Sequence, residues 1–299
     1  MLRTRVITAA VLAPMILAIV LLGEPWLSLL VGIAAFLALV ELVGLLDAAG
    51  HQPPQVLTII SGMTLVAASL VTTNGEGVGG VAATLLVALD PPGLVTAAMV
   101  AVMLLFAAVA FTRADPHGGF MTWATTTFGV AYVGLLLPVI VLVAHLAPAG
   151  GSASTPVGAL GIGSGAAWAL LLVLVVWGYD TGAYLTGRLL GRRRLLDHIS
   201  PSKTVEGLAG GLVIATLGAG IGAALVGLEA WHPLVIGPLV GLAAQAGDLA
   251  ESMLKRAAGR KESGFIVPGH GGILDRVDSF LFAAPVLAGY ALLAAGRVA

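Results

Sequence analysis

Twenty-nine residues, Glu251 to Ser279 (ESMLKRAAGRKESGFIVPGHGGILDRVDS), hold the longest polar run in a chain otherwise dominated by Ala, Leu, Val and Gly. Asp275 and Asp278 stand three apart, so on a helix they share a face one turn apart, and Asp248 lies just upstream. Carboxylates gathered at one level repel unless a cation joins them. A hard divalent ion such as Mg²⁺ takes one or two carboxylates together with phosphate oxygens. The competing reading is a structural salt bridge between Asp275 or Asp278 and Arg276 or a basic loop residue. Lys255, Arg256, Lys261 and Arg276 supply positive charge for phosphate groups. His270, Gly271 and Gly272 lie in a Pro-Gly-His-Gly-Gly turn ahead of a helix. Glycine backbones can approach an anion closely there, and free helix amides attract it.

A second polar island runs from Trp177 to Gly211. Its Ser200-Pro-Ser-Lys203-Thr204 segment offers hydroxyls and an ammonium at a helix start, a second phosphate-facing set. Thr204 and Glu206 could instead only cap the next helix. Asp180 sits in an apolar run, with a helix–helix hydrogen bond or a pair with Arg188 as the plain alternative. Arg192-Arg193-Arg194 reads as a topology anchor that meets anionic lipid. Glu41, alone in an apolar span, reads as structural, and His145 and His232 as interfacial.

The elements that must carry these groups are membrane helices. The chain has 299 residues, of which 59% are hydrophobic and 10% charged, against roughly 25% charged in soluble domains. Repeated apolar runs make it an all-α, polytopic helical membrane protein. With no cysteine, disulfides, thiolate metal sites and cysteine nucleophiles are excluded. Nine spans are expected, near Val6–Leu22, Trp26–Leu46, Val56–Thr72, Leu94–Thr112, Trp123–Ala147, Ala167–Gly187, Val205–Leu228, Leu234–Asp248 and Ser279–Ala295. Gly77–Leu89 is short for a span. If it does not cross, Arg3, Arg5, Arg113, Arg188 to Arg194, Lys203 and the cluster from Lys255 to Arg276 all fall on one side, and only Arg297 opposite. The positive-inside rule makes that side cytoplasmic, with the C-terminus outside. Residues 1–299 form one integral membrane domain, 1–165 mainly scaffold and 166–299 catalytic helices and loops. The Gly-rich Ala209–Gly222 segment suits close helix packing.

The run S-M-L-K-R-x₄-K-E-S-G-x₃-P-G-H-G-G-I-L-D-R-V-D-S, Ser252 to Ser279, resembles the signature of the phosphatidate cytidylyltransferase (CDP-diacylglycerol synthase) family. The segments D-T-G-A-Y-x₂-G-R and I-S-P-S-K-T-x-E-G-x₂-G-G are similar to that family's other polar block. One departure is Glu262, where the family has Asp. Its extra methylene keeps it out of the metal set. The resemblance implies that CTP and phosphatidate give CDP-diacylglycerol and pyrophosphate with Mg²⁺, and it leaves room for a second cation. It implies metal binding by Asp248, Asp275 and Asp278, with Lys255 catalytic. It also implies substrate contacts from Ser200, Lys203, Thr204, Arg256, Lys261, His270, Gly271, Gly272 and Arg276. Expected partners are the two substrates and membrane lipid, with no nucleic acid and with a homodimer allowed. The expected location is the inner cell membrane, with the site on the cytoplasmic side.

Two other functions use the same features. A CTP-dependent kinase of a lipid alcohol shares parts of the C-terminal motif. An ion-coupled transporter would bind ions at Asp180 and Asp248, but it needs polar residues distributed across the membrane. A CDP-alcohol phosphotransferase would need a D-G-x₂-A-R pattern that the chain lacks. A topology reporter fused after Ala299 is expected to read as external; a cytoplasmic signal would overturn the nine-span orientation.

Overall fold

The computed structural model describes residues 2–73, 91–146, 164–267 and 271–295. Gly77–Leu89, His270 and Arg297 lie outside the described residues. The chain forms ten helices among them: α1 (Leu2–Leu22), α2 (Trp26–Ala48), α3 (Gln55–Thr73), α4 (Pro91–Phe111), α5 (Pro116–Gly134), α6 (Val139–Ala144), α7 (Ser164–Leu190), α8 (Val205–Val226), α9 (Pro233–Ala257) and α10 (Leu274–Ala295). Between α7 and α8 stands a two-stranded antiparallel hairpin, β1 (Arg194–Leu196) and β2 (Ser200–Thr204), with Arg194 opposite Thr204 and Leu196 opposite Ser200. The sequence pattern did not signal it.

Seven helical stretches are long and apolar enough to cross a membrane: Trp26–Ala48, Gly93–Phe111, Pro116–Ala144, Gly165–Leu190, Val205–Val226, Pro233–Ala257 and Leu274–Ala294. The protein is therefore an all-α integral membrane protein. Two other expected spans appear as shorter apolar helices, Ala10–Leu22 and Gln55–Val71. The described residues thus give seven clear spans against the nine expected.

Three boundaries differ from expectation in ways that matter for the polar groups. The fifth span starts at Pro116 rather than Trp123, because Asp115 caps it by accepting hydrogen bonds from His117 N (3.1 Å) and Gly118 N (2.7 Å). It breaks before Val139, where Pro138 has no amide to offer the ladder. Helix α9 continues past Asp248 to Ala257, and α10 begins at Leu274 rather than Ser279. Hence Glu251, Ser252, Lys255, Asp275 and Asp278 lie on helix ends instead of in a loop.

Among the described residues three apolar cores hold the bundle, the smallest joining α3, α4 and α5 through Leu65, Phe106 and Val130, and two bear on the polar groups. One joins α7, α8, α9 and α10 through Trp168, Leu172, Val176, Ala219, Val240, Ala244 and Leu287. The other joins α2 and the α5–α6 region through Leu39, Leu42, Leu46, Val133 and Leu137, and Leu274 and Leu281 of α10 enter it. Helix α10 therefore belongs to both. Helices α7 and α8 pack closely because α8 turns small residues toward α7. A methyl group on Gly218 would sit 2.7 Å from the Leu174 carbonyl oxygen, and Gly211 and Gly222 meet Tyr179 and Leu171 in the same way. Gly220 meets nothing within 4 Å. Gly218→Leu is expected to lower thermal stability in detergent by about 1–3 kcal/mol through overpacking, whereas Gly220→Leu leaves it unchanged. Equal melting of the two variants would contradict this packing.

Candidate active site

The polar face of α9 meets the first turns of α10. Residues 248, 251, 252 and 255 recur at helical spacing, which places Asp248, Glu251, Ser252 and Lys255 on one side of α9. Gly247 allows that side to touch α10 at the main chain, since a side chain there would collide with the Asp278 carbonyl.

Lys255 is buried between two carboxylates. It forms an ion pair with Glu251, one turn earlier and wholly buried, and another with Asp275 at 2.6 Å. Intramembrane charges persist when they are paired in this way. Asp275 is fully engaged. Its Oδ1 accepts from Lys255, while Oδ2 accepts from Ser263 N (2.9 Å), Ser263 Oγ (2.7 Å) and Gly272 N (2.9 Å).

Two expectations change here. Asp275 does not gather with Asp248 and Asp278 as a third free carboxylate; its oxygens are already used by Lys255, Ser263 and Gly272. Among the described residues, no three His, Asp or Glu side chains lie close enough to hold one metal ion. Among the described residues of the turn before α10, three backbone amides are already taken by protein carboxylates. The Gly272 amide donates to Asp275, and the Ile273 and Leu274 amides donate to Glu41, at 3.0 and 2.8 Å. Gly271 adopts a positive φ of 77°, and its carbonyl accepts from Val267 N at 2.9 Å. The Lys255 ammonium is taken up by protein carboxylates, so it does not present a free charge.

Asp278 is buried and accepts from the Ser279 amide at 2.6 Å. It lies within electrostatic reach of Asp248 and of Asp180 on α7. Asp180 also feels Lys203 and Arg276. Among the described residues no ion pair joins Asp180 to Arg188, which donates to the Tyr184 hydroxyl at 3.0 Å.

The second island reaches this place through the hairpin. Lys203 of β2 forms an ion pair with Asp248 at 2.5 Å. Ser252 Oγ donates to the other Asp248 oxygen at 3.4 Å, and Arg256 Nε donates to the Ile199 carbonyl at 3.2 Å. The two polar stretches singled out in the sequence therefore join. Within the second island, Thr204 Oγ1 accepts from Gly207 N at 3.0 Å, the capping role. Glu206 accepts from the Arg192 and Arg193 amides, at 3.0 and 3.1 Å, and fixes the turn into β1. Ser200 is buried, whereas Arg256, Lys261, Glu262 and Arg276 are exposed.

The sequence matches the cytidylyltransferase family over residues 3–294. The chain belongs to that family. As a member it is a CTP-dependent nucleotidyltransferase. A relative from Staphylococcus haemolyticus, named phosphatidate cytidylyltransferase, is 32% identical over 288 residues, covering 95% of this chain and 97% of its own. Proteins of the same name from Bacillus subtilis (51% over 123 residues) and Synechocystis (47% over 120 residues) match 40% of this chain. In those two alignments the chain spans less than half of each relative, 45% and 41%.

Three contributors were not assigned to the site from the family's motif. Glu251 was legible through its i,i+4 spacing to Lys255. Asp180 stood out as an intramembrane carboxylate. Glu41 carried no local signal of its partners. Removing Lys255 leaves Glu251 and Asp275 buried without their cation, so Lys255→Ala is expected to cost about 3–5 kcal/mol of stability. Thermal melts in detergent check this against Lys261→Ala, an exposed site that leaves stability unchanged; matched melting would contradict the buried triad.

Proposed function

We propose that this member of the family makes CDP-diacylglycerol and pyrophosphate from CTP and phosphatidate. The observation that carries this reading is the union of the two polar islands through Lys203 and Asp248 at one end of the bundle. The full-length relative bears the name of this activity.

In the reaction a phosphate oxygen of the lipid attacks the α-phosphorus of CTP, and the bond to the β-phosphate oxygen breaks to release pyrophosphate. Both reactants are anions, so catalysis rests on positioning and charge neutralisation. Lys203, Arg256, Lys261 and Arg276 would meet the phosphates. Lys255 instead balances Glu251 and Asp275, and so holds the start of α10 in place.

The residues suit a divalent cation in one respect: Asp248 and Asp278 repel each other at the meeting of α9 and α10, and Mg²⁺ needs only one or two protein carboxylates. Asp248 and Asp278 would hold such an ion, which when bound would neutralise phosphate charge as a Lewis acid. Asp275, already saturated with donors, stands outside that pair.

The polar end faces the cytoplasm in this reading, in the inner cell membrane. Lys203, Lys255, Arg256 and Arg276 belong to it, and loops rich in Lys and Arg stay inside. CTP would arrive from the water there, while the acyl chains remain between helices and bilayer.

Label in the α-phosphate of CTP is expected to enter lipid on incubation with phosphatidate and Mg²⁺; transfer of the γ-phosphate instead would indicate a lipid kinase. Asp278→Asn should lower α-label transfer by at least about a hundredfold while the protein still inserts and purifies. A retained rate at saturating Mg²⁺ would sink the assignment of Asp278.

A further inference from the structure

Glu41 lies on α2, more than two hundred positions before the residues it touches, and is buried at 6% exposure. Its carboxylate accepts two backbone hydrogen bonds and shares the Ser263 hydroxyl, all from the link between α9 and α10 and the first residue of α10. Ser263 Oγ lies 3.0 Å from Oε2, Ile273 N donates to Oε1 at 3.0 Å, and Leu274 N donates to Oε2 at 2.8 Å. Ser263 stands near the start of that segment, and Ile273 and Leu274 stand at its end. One side chain thus grips both.

The grip satisfies amides that a helix start leaves without intrahelical partners, and a negative charge there is favoured by the helix dipole. It also fits closely. A methyl group on Gly264 or on Gly272 would collide with the Glu41 carboxylate. One turn along α2, the Arg260 guanidinium lies against Gly44, so the same helix meets the segment twice.

The contact leads directly to charged groups of the site. Ser263 Oγ is within hydrogen-bond distance of both Glu41 Oε2 and Asp275 Oδ2, and its single proton serves one of them at a time. Leu274, held by Glu41, immediately precedes Asp275, which holds Lys255. Asp278 follows one turn later on the same helix.

We propose that Glu41 is a positioning residue: it ties α2 to Ser263, Ile273 and Leu274 and so sets the placement of Asp275, Lys255 and Asp278 for cytidylyl transfer. The inference rests on the function proposed above for its catalytic part, while the grip itself is a matter of structure.

The test compares purified full-length Glu41→Gln with Asp115→Ala. The second variant removes a helix cap on α5, far in sequence from the site, and serves as a matched loss of capping. Two readouts are needed: kcat and KM for α-label transfer, and hydrogen exchange across residues 263–275. Glu41→Gln is expected to lower kcat by about tenfold to a hundredfold, with KM for CTP little changed, and to speed exchange in that segment. Asp115→Ala is expected to change neither, whatever it does to melting. Wild-type exchange in Glu41→Gln overturns the proposal, as does faster exchange with wild-type kcat. A fall in kcat that both variants share in proportion to melting also overturns it. If wild-type protein transfers no α-label, the proposed reaction falls, and exchange alone decides whether Glu41 holds the segment. If Glu41→Gln does not insert, Ser263→Ala must show the same pairing of faster exchange and lower kcat; wild-type values there overturn the proposal.

Discussion

A buried carboxylate needs a partner, and the meeting of α9 and α10 is organised by that need. Glu251, Asp275 and Glu41 are all withdrawn from water, and each is answered differently: by one ammonium, by a mixture of ammonium, hydroxyl and amides, and by amides with a hydroxyl. Loss of one partner would leave charge stranded in a medium that cannot solvate it. This constraint explains why Lys255 stands inside the protein rather than at its surface. It also explains why the amides of Gly272, Ile273 and Leu274 point inward.

The same arrangement divides the acidic residues by task. Glu41, Glu251 and Asp275 are consumed in holding segments together, whereas Asp180, Asp248 and Asp278 lie within electrostatic reach of one another, with Lys203 paired to Asp248 and Arg276 and Lys255 acting on Asp180 and Asp278. The first group is architecture, and the second is where a cation and phosphates have reason to bind. A cytidylyltransferase needs both: a fixed frame, and a site that joins two anionic phosphate groups.

Much of this was legible in the sequence. Hydropathy gave the membrane class, and the long gapless run from Ser252 to Ser279 gave the family. The small residues of α8 gave its close packing against α7. What was not legible has a common physical origin. Helix ends were misplaced at Asp248 and Ser279 because charge was read as a sign of water, whereas α9 and α10 carry their charges within regular helix. The expected third metal carboxylate, Asp275, was drawn from spacing on one helix face, and spacing alone does not report that Lys255, Ser263 and Gly272 reach it first. Glu41 looked isolated because its partners lie 222 to 233 positions away. The hairpin from Arg194 to Thr204 left no alternating pattern in the sequence because its strands are only three and five residues long.

Gly247 has a wider meaning than close packing. Because it brings α9 against the carbonyl of Asp278, the two helices touch through their main chains at the level of the acidic pair. The backbone separation of Asp248 and Asp278 is therefore set by peptide geometry, and side-chain rotamers adjust only the final approach of the two carboxylates. A gauge of that kind does not depend on which apolar side chains surround it.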